Sequence, residues 1–216
     1  MNLKTKYKQF INYFSVNYPD VSTELYYTSP FHLLVAIILS AQCTDKRVNI
    51  ITPNLISKYP TANDMSIATI EEIFAYIKSC SYPNSKAKYL QTMSKMLVEK
   101  FDGEIPNDVE NLQKLPGVGR KTANVMLSVY FNKPAMPVDT HVFRVSNRIG
   151  LVKTKTPKQT EEQLVKNIPG DLLNLSHHWL IIHGRYICMA RSPKCNKCGI
   201  SNICDYYEKT KKSNDV

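Results

Sequence analysis

Three groups of residues in this 216-residue chain have the types and spacing to do chemistry. Cys188, Cys195, Cys198 and Cys204 form C-x6-C-x2-C-x5-C within seventeen residues. Four thiolates held so closely can satisfy one tetrahedral metal ion or the four irons of a cubane cluster. Zinc sites favour two short cysteine pairs, and here only one pair is short, so the spacing fits an iron-sulfur cluster better. The second group is Leu115-Pro116-Gly117-Val118-Gly119-Arg120-Lys121-Thr122-Ala123, a glycine turn that opens a helix. Such a turn presents backbone N–H groups and the positive end of a helix dipole, a combination that attracts phosphate. Lys121 has two readings: a phosphate contact, or an amine that attacks a sugar carbon and holds it as an imine. The second reading needs a neutral amine, which the helix start, Arg120 and partial burial would favour. The third group is Asp139, in Pro137-Val138-Asp139-Thr140-His141, at the start of another helix. It can cap that helix, take a proton from the lysine, or do both.

These groups need elements to position them, and the apolar periodicity is helical almost throughout. It predicts helices at about 3–18, 30–41, 44–58, 67–78, 85–101, 108–113, 119–131, 140–150, 157–167 and 171–188, and hence an all-α fold. Proline and glycine breakers separate them, among them Ser29-Pro30, Tyr82-Pro83-Asn84, Asp102-Gly103 and Pro169-Gly170. With 43% hydrophobic residues the chain can bury a sizeable core. The apolar run Phe31–Leu39 falls short of the roughly 18 residues a membrane helix needs. No export signal is evident at the N-terminus, so a cytoplasmic protein is expected, with reduced thiols. Cys43 and Cys80, distant from the quartet, read as small buried hydrophobes.

The formal charge is +10, and it is unevenly spread. Lys and Arg against Asp and Glu number 11 and 10 over residues 1–108 but 17 and 8 over residues 109–216, so nearly all the excess lies in the half with the turn and the cysteines. A field concentrated in this way suits a polyanion, nucleic acid foremost. His141 and His183 lie among apolar neighbours and read as packed, hydrogen-bonded histidines. Trp179 reads as core.

Leu39-Ser40-Ala41-Gln42, the Leu115–Ala123 turn, Val138-Asp139-Thr140-His141 and the cysteine quartet resemble bacterial endonuclease III in order and spacing, over about residues 3–208. The resemblance implies the helix-hairpin-helix DNA glycosylase fold, with a six-helix domain at 22–132 and a second helical domain at 1–21 plus 133–216. It implies a DNA-binding groove between them and a [4Fe-4S] cluster on Cys188, Cys195, Cys198 and Cys204. It further implies a monomeric base-excision repair enzyme that removes oxidised pyrimidines from double-stranded DNA and cuts the strand at abasic sites. In that scheme Lys121 is the nucleophile and Asp139 its carboxylate partner. Leu115, Pro116, Gly117, Val118, Gly119, Arg120 and Thr122 contact DNA, His141 faces it, and Gln42 fills the hole left by the flipped base. Tyr82 stands where the family presents a leucine wedge, and a tyrosine there would stack on a neighbouring base. The cluster would hold Arg191, Lys194 and Lys197 against the phosphates, and the enzyme would associate with the nucleoid when bound to DNA. The related adenine mismatch glycosylases lack the lysine. A non-catalytic DNA-binding module and an electron carrier are readings from other classes; ferredoxins use tighter cysteine runs.

Overall fold

The computed structural model describes the backbone of residues 1–214 and the side chains of residues 1–211. Among the described residues every regular element is helical, as the periodicity predicts. The helices are α1 (Leu3–Asn17), α2 (Pro30–Ser40), α3 (Asp45–Lys58), α4 (Ala62–Ile67), α5 (Ile70–Ile77), α6 (Pro83–Phe101), α7 (Val109–Leu112), α8 (Arg120–Val125), α9 (Thr140–Ile149), α10 (Pro157–Asn167), α11 (Leu173–Tyr186) and α12 (Asp205–Asn214). They form two compact units, one of Glu24–Asn132 and one of Met1–Thr23 with Lys133–Val216.

The first unit is organised on α2. Ser29 caps it by accepting from the His32 amide at 3.1 Å, and Pro30 at the first helical position has no N–H to leave unpaired. From there Phe31 and Leu33 to Leu39 are all buried, so the helix is apolar on every face and can exist only inside other helices. Helices α3, α6 and α8 pack on it. The helix expected at 67–78 is α5, and α4 before it lies outside the expected elements. Each begins in a reciprocal capping box, Thr61 with Asp64 and Thr69 with Glu72, which is what starts a helix as short as α4. The helix expected at 119–131 changes character at Met126. From there to Tyr130 it is a π-helix, with the Phe131 amide bonded to the Met126 carbonyl at 3.2 Å. Cys80 is buried as expected, but Cys43 is only half buried, because it follows α2 in the turn that leads the chain back to the surface.

In the second unit Phe10 and Phe14 of α1 pack on Trp179 of α11, which has no exposure and donates its indole N–H to the Tyr18 carbonyl at 2.8 Å. Lys6 is buried as well. Its ammonium pairs with Asp205 and donates to the Ile149 carbonyl at 2.9 Å, at the negative end of α9. Gly150 ends α9 with φ of 84°, and a Cβ there would collide with the Asp205 carboxylate, so glycine serves both the turn and the ion pair. Helix α12 lies beyond the expected elements, because its polar sequence carries little periodic apolar signal.

His178 of α11 is almost wholly buried, and burial followed by the nearby Arg185 lowers its pKa to about 4. An unfolded histidine binds its proton near pH 6.5, so the unfolded state takes up the proton first on acidification. The stability due to neutral His178 is complete above pH 6.5 and is lost as pH falls towards 4, on the order of 3 kcal/mol. Denaturant midpoints measured across that window should fall steeply in the parent chain, and His178→Gln should flatten the slope.

Candidate active site

The turn between α7 and α8 is built around Gly117, whose φ of 81° is left-handed. A Cβ at Gly117 would lie 2.9 Å from Cβ of Tyr89 on α6, so the turn sits tightly on that helix. Leu115 and Val118 are buried and anchor it, which leaves only their main chain for any outside partner. Gly119 is the N-cap of α8 in ordinary extended geometry, and the space where its Cβ would be is open for 4 Å. Among the described residues no side chain caps α8. Its first N–H groups and the positive end of its dipole are therefore presented at an unobstructed backbone. Arg120 and Lys121 are exposed, Thr122 and Pro116 half buried. Lys121 thus departs from the partial burial expected of it, because the second residue of α8 points off the turn and not into the α2 core. Its ammonium makes no hydrogen bond or ion pair with any described residue.

Asp139 lies in the other unit and caps α9 as its sequence position predicts. The two capping bonds, from the amides of His141 and Val142 at 2.8 Å each, both end on Oδ1. Oδ2 accepts none from the described residues, so the cap leaves one carboxylate oxygen for other work. His141 is half buried, with Nδ1 3.2 Å from an Arg144 guanidinium nitrogen and its ring against Gly184 of α11, where a Cβ would come within 2.9 Å of Nδ1. Burial lowers its pKa, Asp139 opposes the shift, and Arg144 and Arg185 add to it. Gln42 and Tyr82 are both exposed and both left-handed, with φ of 54°.

All four quartet cysteines line one cavity, together with Ile149, His183, Ile187, Ile200, Tyr206 and others. Among the described residues no three metal-binding side chains converge as a single ion requires. Four thiols spread around a shared cavity suit a group that offers each its own iron. Burial pushes the Cys198 thiol up to about 11 and raises Cys204, with the neighbouring thiols adding to both shifts. Nε2 of His183, itself buried and lowered to about 4, stands 3.6 Å from Cys198 Sγ. Two arginines of α9 secure the loop. Arg148 donates to the carbonyls of Met189 at 2.7 Å and Ala190 at 2.9 Å and to Cys188 Sγ at 3.6 Å, and its guanidinium lies over the Tyr206 ring. Arg144 bonds the carbonyls of Gly184 and Cys188. Arg191, Lys194 and Lys197 are exposed on this loop.

Residues 35–170 match the HhH-GPD superfamily of base excision DNA repair proteins. Endonuclease III of Rickettsia conorii is 51% identical over 90% of this chain and 92% of its own length, and that of Escherichia coli K12 is 44% identical over 95% and 98%. A solved endonuclease III–DNA covalent intermediate with an estranged adenine superposes with a TM-score of 0.92 at 41% identity, covering 98% of this chain and 100% of that one. The chain belongs to the endonuclease III family. It is accordingly a DNA glycosylase and abasic-site lyase of base excision repair, with the helix-hairpin-helix glycosylase fold. Within this chain, sequence reasoning missed Arg144 and Arg148, which hold the cysteine loop. Their spacing of four along α9 was the available signal, since it puts both on one helix face.

The two glycines of the hairpin should behave differently when replaced. Gly117→Ala combines a left-handed φ with a 2.9 Å contact and should cost about 1–3 kcal/mol in denaturant melts, whereas Gly119→Ala should be nearly neutral.

Proposed function

We propose that this chain removes oxidised pyrimidines from double-stranded DNA and cleaves the strand at the resulting abasic site, with Lys121 as nucleophile and Asp139 as its carboxylate partner. One observation carries the assignment of roles. The cap on α9 uses a single oxygen of Asp139, while the Lys121 amine is exposed and unpartnered on a helix whose start is uncapped. The solved relatives in this family include a covalent intermediate with DNA, which is the chemistry an uncommitted amine permits.

The damaged nucleotide must leave the stack before its glycosidic carbon can be reached. Gln42 and Tyr82, exposed at the turns that precede α3 and α6, fill and probe the gap. The α7–α8 hairpin holds a backbone phosphate through main-chain N–H groups, which fixes register without reading sequence. Asp139 accepts the Lys121 proton, the amine attacks C1′, and the base departs with the bonding electrons and a proton. Ring opening gives an imine between Nζ and C1′. Loss of a C2′ proton then breaks the C3′–O bond and nicks the strand on the 3′ side. The carboxylate also opposes the positive charge that builds on the sugar.

Cys188, Cys195, Cys198 and Cys204 would hold a [4Fe-4S] cluster, a group that supplies charge and cross-linking to a loop too polar to fold alone. Arg148 and Arg144 fix the loop's carbonyls, and Arg191, Lys194 and Lys197 face the phosphate backbone.

Cleavage of duplexes carrying thymine glycol, dihydrouracil, uracil, an abasic site or an adenine mismatch tests the substrate class. Nicking at the oxidised pyrimidines and the abasic site is expected; activity confined to the mismatch would overturn it. Asp139→Asn separates the two roles of that residue, because asparagine caps a helix about as well as aspartate. Base excision should fall by about 10²- to 10⁴-fold with the melting temperature almost unchanged. Gly119→Ala should leave stability intact and weaken DNA binding by about tenfold, since its methyl would stand between backbone and phosphate.

A further inference from the structure

Lys86, near the start of α6, is a buried lysine to which the mechanism gives no task. It is 4% exposed, and among the described residues it pairs with no carboxylate. A buried ammonium without a counter-charge is costly and persists only where its hydrogen bonds are well met. Here they are. Nζ donates to the carbonyls of Leu39 at 2.8 Å and Ala41 at 2.7 Å, at the negative end of α2. It also stands 3.3 Å from both Cys80 Sγ and Ser81 Oγ. Cys80 in turn donates to the Leu39 carbonyl at 3.3 Å, and Ser81 Oγ donates to the Gln42 carbonyl at 2.7 Å. One ammonium thus ties the turn that carries Gln42 to the turn that carries Tyr82.

Both exposed residues sit at the edge of this knot in a backbone conformation that side chains other than glycine rarely adopt, each with φ of 54°. Tyr82 is 64% exposed, so no packing of its own holds it there. Left-handed geometry at a bulky residue persists only where the surroundings over-determine it. The surroundings in this case are Lys86 and the carbonyls and side chains that it gathers.

We infer that Lys86 is a positioning residue that locks Gln42 and Tyr82 together, so that the two enter the duplex as one rigid probe. The inference rests on the reading that both residues probe DNA. Loss of the ammonium frees the carbonyls of Leu39 and Ala41, lets Gln42 and Tyr82 leave the left-handed region, Tyr82 for the extended conformation favoured before Pro83, and uncouples them. Lesions whose base must be displaced are then hit harder than an abasic site, which has no base to displace.

The test uses the full chain and three readouts. They are excision of thymine glycol, borohydride trapping on an abasic duplex, and the fluorescence change of 2-aminopurine placed opposite a tetrahydrofuran abasic analogue at saturating protein. Lys86→Met should lower kcat/KM for excision by about tenfold more than it lowers the trapping rate, and should abolish most of the fluorescence change. Ser81→Ala, at a half-buried position that carries no charge, should show the same pattern at about threefold and decides the matter should Lys86→Met fail to fold. Gln42→Ala and Tyr82→Ala should each reproduce part of the effect, and either combined with Lys86→Met should add little further. If Gln42→Ala and Tyr82→Ala change neither excision nor fluorescence, the DNA-probing reading falls and the inference with it. If they do change them while Lys86→Met and Ser81→Ala are silent, or lower excision and trapping equally, the positioning role alone is overturned.

Discussion

Every helix leaves backbone groups without partners at both ends, and the way this chain meets that demand determines where its chemistry can sit. Two buried ammonium groups close helix C-termini: Lys86 gathers the last carbonyls of α2, and Lys6 reaches the Ile149 carbonyl at the end of α9. At the other ends, Asp139 spends one carboxylate oxygen on α9, and Gly119 leaves α8 open. Lys121, Asp139 and Gln42 each lie within a turn of one of these termini. Helix ends offer fixed dipoles and fixed directions, which is what residues that must bind phosphate and oppose a developing cation need.

The cysteine loop obeys a different economy. Its regular structure is two short 3-10 turns, Cys195–Lys197 and Ser201–Ile203, and Ile200 and Ile203 anchor it in the core of the second unit. Side chains of α9 also tie it down: Arg144 and Arg148 on its carbonyls, with Cys204 Sγ on the Arg148 carbonyl at 3.4 Å. Thiolate ligands bind a metal centre only in the folded arrangement that brings them together, so cluster binding and the fold of the loop would depend on one another.

Features written in local residue order were legible in the sequence. The Gly117–Gly119 turn, the cap at Asp139, the cysteine spacing and the buried Trp179 could each be read from a few neighbouring residues. Features that depend on distant partners were not. Nothing near Lys86 reveals that its amine will meet carbonyls 45 and 47 residues earlier, and nothing near Gly150 reveals the Asp205 carboxylate. The π-helix at Met126–Tyr130 also escaped, because an i to i+5 ladder leaves the apolar pattern almost unchanged. Helix α4 also escaped, although Thr61-x-x-Asp64 marks its start by the same capping pattern that Thr69-x-x-Glu72 gives α5, because six residues carry too little apolar periodicity to be seen.

The claim on which the rest turns is that the Lys121 amine becomes covalently joined to the sugar. Borohydride reduction during reaction with an abasic duplex, followed by proteolysis and mass spectrometry of the cross-linked peptide, measures this directly. The adduct is expected on Lys121 and should vanish in Lys121→Ala while that variant still binds the duplex. An adduct on another amine, or one undiminished in Lys121→Ala, would contradict the assignment.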